Sequence, residues 1–430
     1  MKNRFNKLID SIKISAFVIV IAVFFVIGLA FFARPSGIIE SEKRMLTEFP
    51  KLSLKSFVSD EWTSQVSLWY SDTYPLRDPM IAADGAIKSL YGIRGEQVII
   101  SGEADDIPDE TMTPVDPDGE IEFTPTDDGG GNKVGGMYLN GDTAYQLYTF
   151  NEQNSRGYIQ LVNKFASQVE GRAQVYDMIV PLHYQIALSR ETAQKYGASD
   201  CKSAIDYMYS GLASGVRSVD ILPQLISHNN EYLYYRTDHH WTARGAYYAY
   251  VAFCETKGIT PTPLEDYERL QFDGFLGSMY ADAKQPSAMK SNPDFVEAFV
   301  PMGTNDIKVT ERNGNVTEYQ IVNVKTDIWY SAAGSKYNCF IAGDNPISEI
   351  HNPDISDDSS IVIVKESFGN AFVPFLVDSY QHVYVIDYRY WSGNLANFVT
   401  ENEIDDVLFL NAINVTSTST RLGELADILK

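Results

Sequence analysis

Cysteine and positive charge are both scarce in this sequence of 430 residues. The three cysteines, Cys201, Cys254 and Cys339, are too few for a disulfide framework and include no CxxC pair for a structural metal. Lys and Arg number 34 against 57 Asp and Glu, a formal net charge of −23. Since binding a polyanion needs a basic surface, we expect no nucleic-acid partner.

Apolar and aromatic residues, by contrast, are abundant. Hydrophobic residues make up 44% of the chain and aromatic residues 13%, which is enough to bury a large core. Segment 103–133 is the exception, because its residues 103–128 include eleven Asp or Glu, four Pro and no Lys or Arg. Like charges repel and such a stretch buries little apolar surface, so we expect 103–133 to be an acidic flexible loop or linker.

Residues 14–33 form a long apolar run without a charged residue. At about 1.5 Å per residue, a helix of roughly 20 residues spans the hydrocarbon layer of a membrane. The basic residues before the run are Lys2, Arg4, Lys7 and Lys13. The positive-inside rule therefore predicts a cytoplasmic N-terminus at 1–13, a transmembrane anchor at 14–33 and an extracellular remainder. A cleaved signal peptide is the alternative, and it would export the same domain.

Short β-rich runs alternate with helical stretches from residue 134 onward. Most of the runs are continuously apolar, which is typical of strands in a sheet covered by helices on both sides. The runs lie at 173–181, 217–223, 360–367, 382–387 and 406–411, and the helical stretches at 154–169, 203–214, 243–257 and 369–379. This order predicts an α/β fold with a mostly parallel sheet and active residues at the carboxyl ends of strands.

The remaining segments complete the expected domain organisation. Amphipathic spacing predicts a helical neck at 34–102 that packs on the main domain. The main α/β domain is expected to span 134–430. Within it, residues of about 260–336 are polar and interrupted by Gly and Pro, so we expect them to form an insertion lying over the sheet.

Two segments carry the side chains of a nucleophilic triad. An extended backbone sends residues i and i+2 to the same side, so Asp238 can orient one ring nitrogen of His240, just before a helix that Thr242 caps. Such a pair supplies the base and its orienting carboxylate. Ser367 follows a buried strand where a helix begins at about Gly369, and the free N–H groups there are suited to stabilising an oxyanion.

Other interpretations of the same residues stay open. Ser367 could be a plain helix cap. Asp238, His239 and His240 could bind zinc or iron, because imidazole and carboxylate suit those metals. The sequence has only six histidines and no H-x-x-x-H pair for a third ligand, so we favour the triad and expect no metal and no cofactor.

Together the two segments resemble the DHHW family of exported bacterial proteins, which is similar to the AlgJ/AlgX group of alginate O-acetylation proteins with an SGNH-hydrolase-like fold. The matching motifs are SEKRMLTEFP, YPLRD, TDHHWTARGA, FLGSMY, KESFGNAF and VIDYRYW. The resemblance implies Ser367 as nucleophile, His240 as general base and acid, and Asp238 as its orienter. It also implies a membrane-bound O-acyltransferase as the partner that supplies the acyl group.

Five further residues are candidates for binding substrate or an oxyanion. Arg389 and Lys365 are cations near the predicted site, and Asn411 follows the last strand. Tyr388 and Trp241 could form an aromatic wall for a sugar ring. A structural ion pair for Arg389 and core packing for the aromatic residues are the alternatives.

The expected function is that of a membrane-anchored extracellular O-acyltransferase, which acetylates a cell-surface or secreted polysaccharide through an acyl-serine intermediate. A carbohydrate esterase with the same triad is one alternative, and a non-catalytic glycan-binding or scaffold protein is another. Because eleven of the negative charges lie in residues 103–128, the rest of the chain carries −23 + 11 = −12. This acidity favours a neutral or weakly charged polysaccharide as acceptor.

Overall fold

The computed structural model describes residues 123–323 and 336–430, and before them only positions 38–39, 44–45, 49, 66, 69–70 and 73. The chain divides into two units, Met1–Glu96 and Gln97–Lys430. The predicted anchor at 14–33 lies outside the described residues, as do the cytoplasmic segment 1–13 and most of the neck and the acidic segment. Within the described part of the chain, no helix has the length and hydropathy that a membrane crossing requires.

The first unit contributes one short antiparallel pair, β1 (Ile38–Ile39) with β2 (Arg44–Met45). Trp69 lies in a helical turn, and its ring meets that of Phe49 edge-on with 4.7 Å between centroids. The hydroxyl of Thr73 donates to the carbonyl of Trp69 at 2.7 Å.

Among the described residues, the second unit contains the other strands and the helices whose bounds follow. Its strands are β3 (Asn132–Val134), β4 (Met137–Asn140), β5 (Thr143–Gln146), β6 (Gln174–Val180), β7 (Val216–Ser218), β8 (Glu268–Phe275), β9 (Asp294–Val300), β10 (Asp306–Thr310), β11 (Val316–Gln320), β12 (Ile347–His351), β13 (Ser360–Lys365), β14 (His382–Asp387) and β15 (Asp406–Ala412). Its helices are α1 (Glu152–Gln168), α2 (Tyr184–Ala187), α3 (Arg190–Lys195), α4 (Cys201–Ser210), α5 (Leu222–Ser227), α6 (Ala243–Lys257), α7 (Ser278–Asp282), α8 (Ser287–Ser291), α9 (Val373–Leu376), α10 (Leu395–Glu401) and α11 (Ser419–Ile428).

Eight strands form the main sheet in the order β11-β10-β12-β14-β13-β15-β6-β7. Neighbours from β14 to β7 are parallel, whereas β12, β10 and β11 extend the sheet in antiparallel fashion. The carboxyl ends of β14, β13, β15 and β6 therefore meet at one edge. This arrangement confirms the predicted α/β fold with a mostly parallel sheet, and the antiparallel strands make the sheet a mixed one.

The two faces of the sheet pack against separate apolar clusters. Along β13, Ile361 and Ile363 belong to one cluster, and Val362 and Val364 to the other. All residues of β13 and β15 are buried, as the continuous apolar runs in the sequence indicated. Because these strands are buried on both faces, their carboxyl ends are held rigidly. Such an edge is suited to positioning side chains.

Two segments differ in detail from the sequence expectation. The helix expected at 369–379 is broken into the 3₁₀ turn Ser367–Ala371, the short α9 and a second 3₁₀ turn, Val377–Ser379. Pro374 lacks a backbone N–H and so cannot continue a regular helix from the turn before it. Within the segment 260–336, β8 and β9 pair separately, while β10 and β11 lengthen the main sheet.

Candidate active site

The nucleophile candidate lies on a sharp turn directly after β13. The side chain of Glu366 caps the 3₁₀ turn that follows, accepting the N–H of Phe368 at 3.2 Å. A Cβ atom at Gly369 would lie only 2.7 Å from Cβ of Lys365, so the chain can fold back this tightly only with glycine there. The turn brings the Ser367 hydroxyl to the carboxyl edge of the sheet.

The base candidate comes from a tight hairpin before α6. Tyr234 and Trp241 form an antiparallel bridge, and Thr242 caps the helix by accepting the N–H of Gly245 at 3.2 Å. Trp241 is fully buried and donates its indole N–H to the carbonyl of Phe368 at 2.9 Å. The hairpin is thus tied to the residue that follows Ser367.

The structure brings Asp238, His240 and Ser367 together in one hydrogen-bonded series. Nε2 of His240 lies 2.7 Å from Oγ of Ser367, and Nδ1 lies 2.6 Å from Oδ1 of Asp238. Asp238 and His240 are buried, at 4% and 7% exposure. Burial strengthens the attraction between carboxylate and imidazole, so Asp238 fixes the tautomer that leaves Nε2 able to accept a proton.

Asp238 is held on its far side by the loop before α7. Its Oδ2 accepts the backbone N–H of Ser278 at 2.8 Å, while its Oδ1 also accepts the backbone N–H of His240 at 3.1 Å. A Cβ atom at Gly277 would lie 2.2 Å from Cβ of Asp238, so only glycine allows the loop to approach this closely. Both carboxylate oxygens are therefore oriented.

Tyr337 sets the plane of the His240 ring. The two rings are stacked, with 4.2 Å between centroids and an interplanar angle of 15°. The hydroxyl of Tyr337 donates to the carbonyl of Ser367 at 3.0 Å. One side chain thus contacts both the base and the nucleophile.

His239 hydrogen-bonds the same residue, Ser278, whose backbone holds Asp238. Its Nδ1 lies 2.7 Å from Oγ of Ser278. Burial and the neighbouring His240 lower the pKa of His239 to about 4, so the ring is neutral at physiological pH. Asp238, His239 and His240 do offer potential metal-ligand atoms within 4.8 Å of one another. Both ring nitrogens of His240 already contact protein atoms, and this favours the triad interpretation.

The candidate cations Lys365 and Arg389 lie in an ion-pair network near the carboxyl ends of β13 and β14. Nζ of Lys365, at 1% exposure, lies 3.0 Å from Oδ2 of Asp387 and donates to Oδ1 of Asn370 at 2.7 Å. Arg389 donates to Asp387 through Nε and Nη2, at 2.8 and 2.6 Å. Burial favours a raised pKa for Asp344, but Lys365 and Arg389 outweigh it and hold the pKa of Asp344 well below its usual value. Their expected contact with substrate or an oxyanion stays a prediction.

The other three candidates pack inside the protein. Asn411 donates to the hydroxyl of Tyr158 at 3.4 Å and is 1% exposed. Tyr388 and Trp241 are 2% and 0% exposed. These positions match the core-packing alternative, in which neither aromatic side chain presents a face to a sugar.

Sequence reasoning did not identify several residues that contact the series. Oε2 of Glu366 lies 3.2 Å from the Ser367 hydroxyl, and Oε1 of Glu366 accepts the N–H of Ala412 at 3.1 Å. Ser278 lies in the FLGSMY motif, which was recognisable, but its contact with Asp238 joins residues 40 positions apart. No pattern in the sequence around Tyr337 indicates that it lies at this site.

Fold and contacts together define an α/β protein with a serine, a histidine and an aspartate hydrogen-bonded at the carboxyl edge of a mostly parallel sheet. The sequence matches the DHHW protein family over residues 42–120 and 106–386. The chain therefore belongs to the DHHW family.

The chain is also similar to several solved structures. A DHHW family protein from Eubacterium siraeum is 28% identical, with a TM-score of 0.63 over 70% of this chain and 98% of that one. Bacillus cereus PatB1 is 18% identical, with a TM-score of 0.55 over 66% and 98% of the two chains. The O-acetyltransferase domain of Pseudomonas putida AlgJ is 12% identical, with a TM-score of 0.39 over 67% and 98%. No curated protein matches the sequence.

Proposed function

We propose that this protein is a membrane-anchored extracellular O-acyltransferase, which acetylates hydroxyl groups of a cell-surface or secreted polysaccharide. The observation that carries the proposal is the series in which 2.6 Å separates Asp238 from His240 and 2.7 Å separates His240 from Ser367. A buried carboxylate, an imidazole and a hydroxyl in this order activate a nucleophile for acyl transfer.

The first half-reaction forms an acyl-enzyme. Nε2 of His240 takes the hydroxyl proton of Ser367 while Oγ attacks the carbonyl carbon of the acyl donor. Asp238 stabilises the imidazolium that results. When the tetrahedral intermediate collapses, the bond to the donor oxygen breaks and His240 returns the proton to that leaving group. Ser367 then carries the acyl group as an ester.

The second half-reaction moves the acyl group to the acceptor. His240 deprotonates a sugar hydroxyl, whose oxygen attacks the Ser367 ester. Collapse of this second intermediate breaks the bond to Oγ, and His240 reprotonates Ser367. If water replaced the sugar hydroxyl, the same residues would catalyse ester hydrolysis, so the acceptor alone separates the transferase from a carbohydrate esterase.

Extracellular acylation also requires an acyl donor on the outer side of the membrane. The uncharged run at 14–33, preceded by basic residues, supports an anchor that leaves the domain outside. Acetyl-CoA is cytoplasmic, so a separate membrane-bound O-acyltransferase would pass the acyl group across the membrane to Ser367. The protein itself needs no cofactor in this scheme.

The experiment uses the full-length protein in detergent with 4-nitrophenyl acetate as donor. Release of nitrophenol by the wild type, and its loss in Ser367→Ala, supports the triad. Polysaccharide isolated from the cells that produce the protein is then added. Ester-linked acetate on the polysaccharide supports transfer, whereas free acetate alone identifies an esterase. No turnover in the wild type, or equal turnover in Ser367→Ala, contradicts both enzymatic functions.

A further inference from the structure

His239 lies directly beside the base of the proposed triad, and the two half-reactions do not use it. Its ring is next to that of His240, with 3.9 Å between centroids and 36° between planes. The ring of Phe368, the residue after the nucleophile, has its centroid 5.9 Å away. A substrate bound at Ser367 therefore lies close to His239 as well.

The two imidazole rings face Asp238 with the same nitrogen. Nδ1 of His240 lies 2.6 Å from Oδ1 of Asp238, and Nδ1 of His239 lies 3.8 Å from the same oxygen. Because Nε2 is on the far side of an imidazole ring from this contact, the Nε2 atoms of both rings are directed away from Asp238. For His240 that direction leads to Oγ of Ser367, at 2.7 Å. Nε2 of His239 is therefore directed toward the reacting side of the site.

Nε2 of His239, unlike that of His240, is accessible to a ligand. The side chain of His239 is 30% exposed. Its Nδ1 lies 2.7 Å from Oγ of Ser278, whereas its Nε2 has no hydrogen bond to a residue in the described parts of the chain. Nε2 is also not one of the buried polar atoms that lack a partner there. A water molecule or a substrate hydroxyl can therefore reach this nitrogen.

The neighbours of His239 determine which of its nitrogens carries the proton. Nδ1 faces the hydroxyl of Ser278 and, further away, the carboxylate of Asp238. The negative charge of Asp238 favours a proton on Nδ1, so Nε2 keeps its lone pair. Desolvation and the neighbouring His240 lower the pKa of His239 to about 4, and the neutral ring therefore keeps Nε2 as a hydrogen-bond acceptor. An acceptor binds an O–H group, which a sugar hydroxyl supplies and an ester group does not.

We propose that His239 determines specificity for the acceptor, with its Nε2 accepting a hydrogen bond from the sugar hydroxyl next to the one that His240 deprotonates. Two neighbouring Nε2 atoms directed to the same side match two neighbouring hydroxyls on one sugar ring. The inference rests on the proposed function, because it concerns the acceptor of the second half-reaction. It adds that the acceptor is a vicinal diol, of which one hydroxyl is activated and the other is recognised.

The test measures how the acetyl-enzyme divides its acyl group between an added alcohol and water. The full-length protein in detergent receives 4-nitrophenyl acetate together with cis- or trans-cyclohexane-1,2-diol, or with the corresponding 2-methoxycyclohexanol. The methyl ethers keep the ring and one hydroxyl but cannot donate a hydrogen bond from the second oxygen. Per hydroxyl group, we expect the wild type to acetylate one of the diols about fivefold more efficiently than its methyl ether, because one hydrogen bond is lost in the ether. The ratio of acetylated alcohol to free acetate does not depend on the rate at which the acetyl-enzyme forms.

Three variants separate hydrogen bonding from packing. His239→Phe keeps a ring against His240 but has no acceptor atom, so the preference for the diol should fall below twofold. His239→Gln supplies an amide oxygen as acceptor and should retain most of the preference. His228→Phe is the matched control, because the ring of His228 stacks on Tyr248 with 3.7 Å between centroids at the end of α5. This control should show the preference of the wild type.

Three results would overturn the inference and leave the proposed transferase standing. The wild type could acetylate the cell polysaccharide but neither diol, it could show no preference for a diol over its methyl ether, or the preference could persist in His239→Phe. A purely structural role for His239 predicts the last of these, with transfer to both alcohols reduced by the same factor. Ester hydrolysis without acetylation of any alcohol or polysaccharide would instead contradict the proposed function itself. If His239→Phe does not fold, the wild-type preference and His239→Gln decide the question.

Discussion

The central residue of the account is Ser367, whose hydroxyl lies between two hydrogen-bond acceptors. Nε2 of His240 is 2.7 Å away and Oε2 of Glu366 is 3.2 Å away. A hydroxyl donates to one acceptor at a time, and the shorter contact leads to the base. In the proposed mechanism Glu366 is therefore a cap for the following turn, and His240 receives the proton.

Replacing the nucleophile should remove activity without affecting the fold. We expect Ser367→Ala to lower turnover of 4-nitrophenyl acetate by about 1,000-fold or more, because loss of a triad residue leaves only binding and electrostatic contributions. Ser392→Ala, at an exposed serine, is the matched control and should retain full activity. Comparable losses in the two variants would exclude a special role for Ser367.

Gly277 offers a steric test of the orientation of Asp238. In Gly277→Ala the added methyl group would lie 2.2 Å from Cβ of Asp238, so either the loop or the carboxylate must move. We expect turnover to fall by about 100-fold, since misplacement of a catalytic group by about 1 Å costs that much. Gly423→Ala is the control, because a Cβ there meets no atom within 4 Å in the middle of α11. It should leave turnover unchanged and stabilise the helix by about 1 kcal/mol.

Contacts between residues that are close in sequence could be predicted from the sequence alone, whereas contacts between distant residues could not. The spacing of Asp238 and His240 predicts their contact, which forms at 2.6 Å. Ser278, at the start of α7, and Tyr337, in the 3₁₀ turn Lys336–Cys339, reach the same site from segments that are distant in sequence. Lys365 and Arg389 were expected near an oxyanion because the sequence shows their charge, whereas the pairing of Lys365 with Asp387 depends on tertiary packing.

At the scale of elements, a buried ion pair joins the two strands that end beside the site. Lys365 at the end of β13 and Asp387 at the end of β14 are opposite each other in the parallel register. Their side chains are 1% and 0% exposed and lie 3.0 Å apart. The pair fixes the end of β13 only two residues before Ser367.

Breaking this ion pair should destabilise the folded protein. Lys365→Met leaves Asp387 with Arg389 but without its second cation, and we expect a loss of about 3 kcal/mol in the free energy of unfolding. Lys308→Met is the control, because Lys308 is 54% exposed in its pair with Glu349 and should change stability by less than about 1 kcal/mol. Urea titrations of the two variants provide the comparison. Equal stabilities would mean that the buried pair does not hold the strand ends.

Elements with a strong local pattern were predicted well. The helix expected at 243–257 coincides with α6, and the strand expected at 382–387 coincides with β14. Residues 369–379 were predicted as one helix, because their apolar content masks the break at Pro374. The antiparallel extension by β10 and β11 was not anticipated, since strand pairing across long sequence distances has no local signature.

At the scale of the whole molecule, a buried carboxyl should make stability depend on pH. Burial raises the pKa of Asp177 from 3.8 to about 7, and the hydroxyl of Tyr158 donates to one of its oxygens. The folded state therefore binds more protons than the unfolded state between these two values. The contribution of Asp177 to stability should therefore fall as the pH rises from about 4 to about 7, by an amount on the order of a few kcal/mol. His183 and His239, whose pKa values are lowered by burial, contribute in the opposite direction over this range.

The variant Asp177→Asn removes this titration while its side-chain oxygen can still accept from Tyr158. We expect Asp177→Asn to gain stability relative to the wild type between pH 5 and pH 8, measured by urea unfolding at both pH values. Asp358→Asn, at an exposed position, is the control and should keep the slope of the wild type. An unchanged slope in Asp177→Asn would show that Asp177 is ionised in the folded protein throughout this range.

The most direct test of the proposed function is the covalent intermediate. The full-length protein is mixed briefly with 4-nitrophenyl acetate, quenched in acid and measured by intact-mass and peptide-mapping mass spectrometry. We predict one acetyl group on the peptide that contains Ser367, absent from Ser367→Ala and strongly reduced in His240→Ala. A wild type that carries no acetyl group, or that carries it equally when Ser367 is replaced, would contradict an acyl-serine mechanism.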